Sequence, residues 1–372
     1  MPVPTETRAA VVVELGEPMQ ILPVKIPELE PGAMLTRNLV ATVCATDVHM
    51  AAGSVPPGFL SKLPIIVGHE AVGQVEAMNG VDTDAVGQDL RIGDRIVWTH
   101  GRCGRCRYCV VDRETTLCVN QHLAMAGSKD SFPYLGGTFA EHGYVFPTGG
   151  AVRVPDELSD AVGSAASCAM QTIVHAYERS GGVDEATTVV VQGAGPLGLF
   201  SVARYVAAGA KVLVIGGPAK RLALATDWGA DAVLDIADVP DPADRLSWVR
   251  DRTSGRGGDI VVEASGVPAA FAEGLDMVAN GGRFVNVGQG HTQKIAFNPS
   301  DMVVRNLSIT GVFSAGVHHT WRALEFLKRH RRTFDWDAMI TSVQDLDHIN
   351  DAFARMSSWE EIKPAIQLMD AS

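Results

Sequence analysis

The chain has 372 residues, 46% of them hydrophobic and 20% charged. That balance excludes a disordered or fibrous protein and leaves room for about two domains. Lysine and arginine number 31 against 43 acids, a net charge of −12, so no nucleic-acid partner and no anionic membrane surface is expected.

Up to about residue 155 the chain reads as β-rich. Short runs such as AAVVVEL, EAVGQVEAM and DRIVW are set off by Gly, Pro and Asp and predict strands with barrel-like packing. The start, MPVPTETRAAVVVELG, has no basic segment followed by an apolar one, so the expected compartment is the cytosol. A long Ala-rich helix is expected over Leu158–Arg179. Strand and helix signals then alternate: TTVVVQ, PLGLFSVARYVAAG, KVLVIG, AKRLALATDWG, DIVVEAS, PAAFAEGLDMVA, RFVNVG. That spacing predicts βαβ units and a parallel, doubly wound sheet, so the fold class is α/β with a β-rich partner domain. From about Gly311 the alternation stops; helices are expected around Trp321–Arg331 and Ile349–Met356, before a short apolar end, IKPAIQL. No stretch reads as a membrane span; the longest weakly charged one, 186–203, is broken by Gln192 and its glycines.

Gly193-Ala194-Gly195-Pro196-Leu197-Gly198 fits G-x-G-x-x-G between a strand and a helix, the context in which that motif binds a dinucleotide. Gly193 allows the tight turn, Gly195 lets backbone approach a pyrophosphate, and Gly198 lets helix and strand pack closely. Pro196 suits the first helical position, and the helix N-terminus offers N–H groups to the phosphates. The acid that would bind the adenosine ribose belongs at the end of KVLVIGG, where Gly216 and Gly217 stand instead. Lys220 and Arg221 follow. The missing carboxylate tilts the coenzyme towards NADP, with both cations alternatively read as ordinary solvated residues of a helix start.

There are six cysteines. Cys103-x2-Cys106-x2-Cys109-x8-Cys118 is a compact set suited to a closed, structural Zn²⁺ site. The alternative, four free surface thiols, would be a chemical liability. Cys44, in C-A-T-D-V-H, and Cys168, in A-S-C-A-M-Q-T, lie far apart in the chain, as does His69 in V-G-H-E. Read singly, the two cysteines suit small buried apolar positions and His69 a core histidine.

Taken together, these segments resemble the zinc-dependent medium-chain alcohol dehydrogenases over nearly the whole chain. The C-x-T-D-x-H segment, G-H-E, the four-cysteine loop, G-G-T-F-A-E-H (Gly136–His142), the C-x-x-x-T helix and the fingerprint occur in the family's order. The resemblance implies a GroES-like catalytic domain over 1–170, a Rossmann NAD(P) domain over 171–312, and a return to the catalytic domain over 313–372. It implies two zinc ions per chain. Cys44, His69 and Cys168 would hold the catalytic one, with Glu70 adjacent and Asp47 orienting His69; Cys103, Cys106, Cys109 and Cys118 would hold the structural one. Thr46 and His49 match the family's proton relay, Thr172 its nicotinamide-side contact, and Lys363 a basic position near the coenzyme phosphates. Trp98, Thr99, Leu123 and Phe313 match positions near the substrate, although the apolar ones also read as core.

The implied activity is hydride transfer between an alcohol, or its aldehyde or ketone, and NAD or NADP, in a homodimer or homotetramer. Rival readings are a polyol or amino-alcohol dehydrogenase, an aldehyde-processing relative, a non-catalytic binding protein and a cysteine redox sensor. Three departures stand out: eight residues between Cys109 and Cys118 where seven is commoner, Ala45 where some members carry a phosphate-binding Arg, and Gly216 in place of the acid. His100, His122, His142, His318 and His319 receive no ligand role, because both metal sets are complete without them.

Overall fold

β-Branched and alanine-rich runs, cut short by glycine and proline, make the first 155 residues a strand-rich region. Its strands are β1 (Glu6–Val12), β2 (Gln20–Lys25), β3 (Met34–Thr42), β4 (Ile65–Ile66), β5 (Ala71–Met78), β6 (Arg95–Trp98), β7 (His142–Val145) and β8 (Ala151–Arg153). Two short helices interrupt them, α1 (Ala45–Ala51) and α2 (Arg107–Val110). The computed structural model describes residues 3–55, 60, 62–122, 124–288 and 293–370.

The long helix expected from Leu158 forms in pieces: α3 (Asp160–Ala165), a π-turn at Ala166–Met170, and α4 (Gln171–Arg179). Ser159 caps α3, its hydroxyl accepting from the Val162 N–H. The π-turn carries Cys168, and such bulges occur mostly at functional sites.

The alternating region then follows. Strands β9 (Thr188–Gln192), β10 (Lys211–Gly216), β11 (Ala232–Asp235), β12 (Gly258–Glu263), β13 (Val278–Asn286) and β14 (Ser308–Gly311) are interleaved with α5 (Pro196–Val206), α6 (Ala219–Asp227), α7 (Pro242–Arg252), α8 (Pro268–Met277) and α9 (Pro299–Val304). They form one parallel sheet in the order β11-β10-β9-β12-β13-β14. Val190, Leu213, Val261 and Phe284 fill its core. The pattern reading did not include β11, α7, α9 or β14. The strands among these are only four residues long, and α7 is mostly exposed and charged.

The chain then returns through α10 (Val317–His330), β15 (Ile340–Asp345), α11 (Ile349–Ser357) and β16 (Lys363–Gln367). Strand β16 pairs with β3, so the C-terminal run completes a sheet begun by residues 34–42. That sheet runs β15-β16-β3-β5-β6-β8 with β7 also on β3, beside a small sheet β2-β1-β4. Met50 of α1 packs with Val67, Phe139 and, from α11, Ile349 and Phe353, which fixes the helix on which several site residues stand.

The chain divides into two compact units: residues 1–171, 315–331 and 336–372 in one, 172–314 and 332–335 in the other. Among the described residues no helix is long and apolar enough to cross a membrane.

Candidate active site

Asp47 organises the first cluster. It is fully buried at the third position of α1. One carboxylate oxygen accepts from the Cys44 N–H at 2.9 Å, which starts the helix. The other accepts from the Gly68 N–H at 3.1 Å and meets His69 Nδ1 at 2.9 Å. With Nδ1 committed to Asp47, His69 Nε2 is the nitrogen left for a metal, and it lies 3.3 Å from Cys168 Sγ. Ligand atoms of Cys44, His69, Glu70 and Cys168 all fall within 4.8 Å of one another. Two sulfurs and an imidazole on separate elements suit Zn²⁺ with a fourth position for water, substrate or carboxylate.

The electrostatics match that use. The hydrogen bond between the two cysteines comes first in pulling the Cys44 thiol well below its ordinary range and in pushing Cys168 up. Burial opposes charge on His69, but Asp47 and then Cys44 outweigh it and raise its pKa. Metal binding takes both cysteines as thiolates and the imidazole as neutral, so it would release the protons this arrangement shares.

Lys363 is held by a partner the sequence did not suggest: its side chain is 1% exposed, and Nζ lies 2.5 and 2.7 Å from the two Glu70 oxygens. A buried ammonium needs a counter-charge, and Glu70 supplies it. Burial lifts the Glu70 carboxyl to about 7, and Lys363 works against that lift. The Thr42 hydroxyl also donates to Glu70 and meets Ser164 Oγ at 2.8 Å. The neighbours of Glu70 are thus arranged for its ionised form, turned towards a lysine as well as towards the cluster.

The second cluster is local. Cys103, Cys106, Cys109 and Cys118 bring their sulfurs within 4.8 Å of one another, compatible with the ~3.8 Å separation implied by four bonds of about 2.3 Å to one Zn²⁺. Cys106 caps α2, and Cys118 Sγ accepts from the Cys103 N–H at 3.3 Å. The Arg105 N–H leads in drawing Cys103 down to about 6, while burial first and then Cys106 and Cys118 push Cys109 up to about 12. The eight-residue spacing does not prevent closure.

The nucleotide fingerprint stands at the β9–α5 turn. Gly193 has φ +105, a region few side chains tolerate, and a Cβ there would lie 2.9 Å from Ser265 N. A Cβ at Gly198 would collide with the Gly193 carbonyl. Gly195 caps α5 with Pro196 first in the helix and Leu197 next. Glu263, missed in the sequence, is buried at the end of β12. It accepts from the Ser265 and Gly266 N–H groups at 2.7 and 2.9 Å, shaping the loop against Gly193.

A side chain at Gly216 would press on Ala194, its Cβ 2.9 Å from the Ala194 N. An acid nevertheless stands beside it: Asp235 pairs with Gly216 across the sheet, and its Oδ1 is 3.2 Å from where a Gly217 Cβ would be. Arg221 is 8% exposed, with Nη1 4.0 Å from a Cβ at Gly195, whereas Lys220 is exposed.

Thr46 and His49 sit a turn apart on α1, both partly buried, with His49 Nδ1 3.1 Å from Ser54 Oγ. Thr172 is buried in α4. Trp98 packs against two apolar clusters, Thr99 and Phe313 are partly buried, and Leu123 lies outside the described residues. His142 is a core histidine, held by Thr7 at 2.8 Å and Glu76 at 3.1 Å. His100 was set aside in the sequence, yet its ring centroid lies 6.5 Å from that of His69.

Comparison with known proteins now bears on both clusters. Residues 30–156 match the alcohol dehydrogenase GroES-like domain, and residues 196–329 match the zinc-binding dehydrogenase domain. A 5-exo-hydroxycamphor dehydrogenase of Pseudomonas putida is 33% identical, covering 96% of this chain and 98% of its own. The chain belongs to the zinc-dependent medium-chain dehydrogenase/reductase family. An alcohol dehydrogenase of Geobacillus stearothermophilus is 31% identical over 94% of this chain and 96% of its own. The crystal structure of a Thermotoga maritima alcohol dehydrogenase superposes with a TM-score of 0.90 at 31% identity, covering 97% of this chain and 99% of that one. As a member of this family the chain is an oxidoreductase acting on CH–OH groups, with zinc and NAD(P) as its cofactors.

Proposed function

We propose that the chain is a two-zinc alcohol dehydrogenase in which Cys44, His69 and Cys168 hold the catalytic metal, and Cys103, Cys106, Cys109 and Cys118 a structural one. The carrying observation is the Asp47–His69–Cys168 line, which commits one histidine nitrogen to a buried carboxylate and leaves the other among thiols. Zinc held by these residues would supply Lewis-acid chemistry that eases loss of the alcohol proton. The chain's own residues do the rest. Asp47 holds the tautomer of His69. Thr46 accepts the alcohol proton as its own hydroxyl proton moves on along a relay, at whose outer end His49, on the same helix, releases one towards solvent. The turn from Gly193 to Gly198, together with the N-terminus of α5, holds the coenzyme pyrophosphate, while Thr172 flanks the nicotinamide.

Coenzyme choice rests on two opposed groups. Arg221, with the bare Gly216, favours a 2′-phosphate; Asp235 favours a free ribose diol. We further propose a homodimer or homotetramer, which the family supports, working in the cytosol.

The test is an absorbance screen on zinc-replete protein, crossing NAD and NADP with primary, secondary and cyclic alcohols, polyols and amino alcohols. Turnover with one pair supports the reading. With His69→Ala the expected result is loss of turnover and of about one zinc per chain while the other is retained; full activity would overturn the assignment.

A further inference from the structure

His100 follows β6, and the backbone on either side of it is pinned. The Thr99 N–H donates to the Gly150 carbonyl at 2.9 Å, the Gly101 carbonyl accepts from His122 at 3.0 Å, and the Arg102 N–H donates to Thr148 at 3.0 Å. The ring is partly buried and tilted by 32° to that of His69, with centroids 6.5 Å apart. It is outside the metal-ligand set, which is complete without it. Among the described residues no hydrogen bond to its ring nitrogens is found, and it is not one of those with a further polar contact. Trp98, two residues earlier on the same segment, is packed into apolar core.

An imidazole beside a metal ligand, partly exposed and with neither ring nitrogen hydrogen-bonded among the described residues, is open to bind a ligand. A neutral imidazole offers one donor and one acceptor. A hydroxyl complements both.

We propose that His100 is a substrate-binding residue that hydrogen-bonds a hydroxyl on the carbon next to the reacting carbinol, which makes vicinal diols and polyols the preferred substrates over simple alkanols. This rests on the zinc dehydrogenase reading above. The reacting hydroxyl goes to the metal held by Cys44, His69 and Cys168, and the second hydroxyl turns to His100. One neutral hydrogen bond distinguishes the two substrate types by about tenfold.

The experiment compares 2,3-butanediol with 2-butanol on the zinc-loaded enzyme, by kcat/KM and by calorimetric binding in the presence of reduced coenzyme, for wild type, His100→Ala and His100→Asn. Zinc content and coenzyme affinity are measured alongside. Wild type is expected to favour the diol by about tenfold or more, chiefly through KM. His100→Ala is expected to lose that preference while 2-butanol stays within about threefold and both zincs remain; His100→Asn keeps part of it. A diol preference unchanged in His100→Ala, or a wild type with no diol preference, overturns the inference and leaves the dehydrogenase intact. If neither compound binds or turns over while the wider alcohol panel is also silent, the dehydrogenase reading fails with it. Should His100→Ala fold poorly, His100→Leu, which can neither donate nor accept, carries the same comparison.

Discussion

The two cysteine clusters use the same donor chemistry in opposite ways. One is a single loop, residues 103–118, in which Cys106 caps a one-turn helix and the sulfurs face one another across a short segment. The apolar side chains around it face outward: Val111 and Val119 are 68% and 70% exposed. With so little core of its own, this loop would depend on the proposed metal for its shape. The other cluster draws Cys44 from a helix N-terminus, His69 and Glu70 from the turn before β5, and Cys168 from a π-turn. Asp47, Thr42, Ser164 and Lys363 bind those elements together without any metal. On the proposed reading the first site would fold around its ion, whereas the second is built before any metal binds.

That contrast can be broken by measurement. The largest expected effect is on the loop: Cys106→Ser should lose one zinc and lower the melting temperature by roughly 5–10 °C or more, whereas Cys44→Ala loses the other zinc and all turnover with a melting temperature changed by only a few degrees. Equal destabilisation by both would remove the distinction. Next, Lys363→Met strips buried Glu70 of its counter-charge, so that the carboxylate is uncompensated or must take up a proton. Denaturant unfolding should report a loss of about 3–5 kcal/mol, part of it recovered in Lys363→Met/Glu70→Gln. No loss would mean that the pair does not hold the second site together.

A smaller effect is expected for Asp47→Asn, which keeps the shape but weakens the hold on His69. Zinc competition with a chelator should show affinity lower by roughly 10–100-fold at the catalytic site and unchanged at the loop. The smallest effect concerns pH. Burial, opposed by Glu76, holds the His142 pKa below its ordinary value. The unfolded chain therefore takes up that proton first, so the stabilisation is complete above about pH 6.5 and fades as pH falls below it. Urea midpoints for His142→Gln should decline less steeply between pH 6.5 and 5 than those of wild type; parallel curves would count against it.

Legibility followed sequence distance. The loop cysteines and the fingerprint are short-range patterns in which spacing limits geometry, so residues 103–118 and 193–198 could be read directly. Cys44, His69 and Cys168 carry no such pattern, and only resemblance joined them. Lys363 shows what resemblance left out: a lysine inside the apolar run IKPAIQL has to find a counter-charge, and β16 pairing with β3 brings it to Glu70. Asp235 was passed over because the missing acid was sought on β10, whereas the neighbouring strand supplies one. His100 looked dispensable once the ligands had been counted, since a count of ligands is blind to what faces them.

By itself the sequence determined the α/β class, the dinucleotide turn and the closed thiolate loop, because each depends on contacts between residues close in the chain. Tertiary structure alone decided that Lys363 neutralises Glu70, that Asp235 stands beside Gly216 and that His100 faces His69. Those contacts join side chains up to nearly 300 positions apart (Glu70 and Lys363, |i−j| of 293), and their closeness follows from strand order and register, which no local spacing encodes.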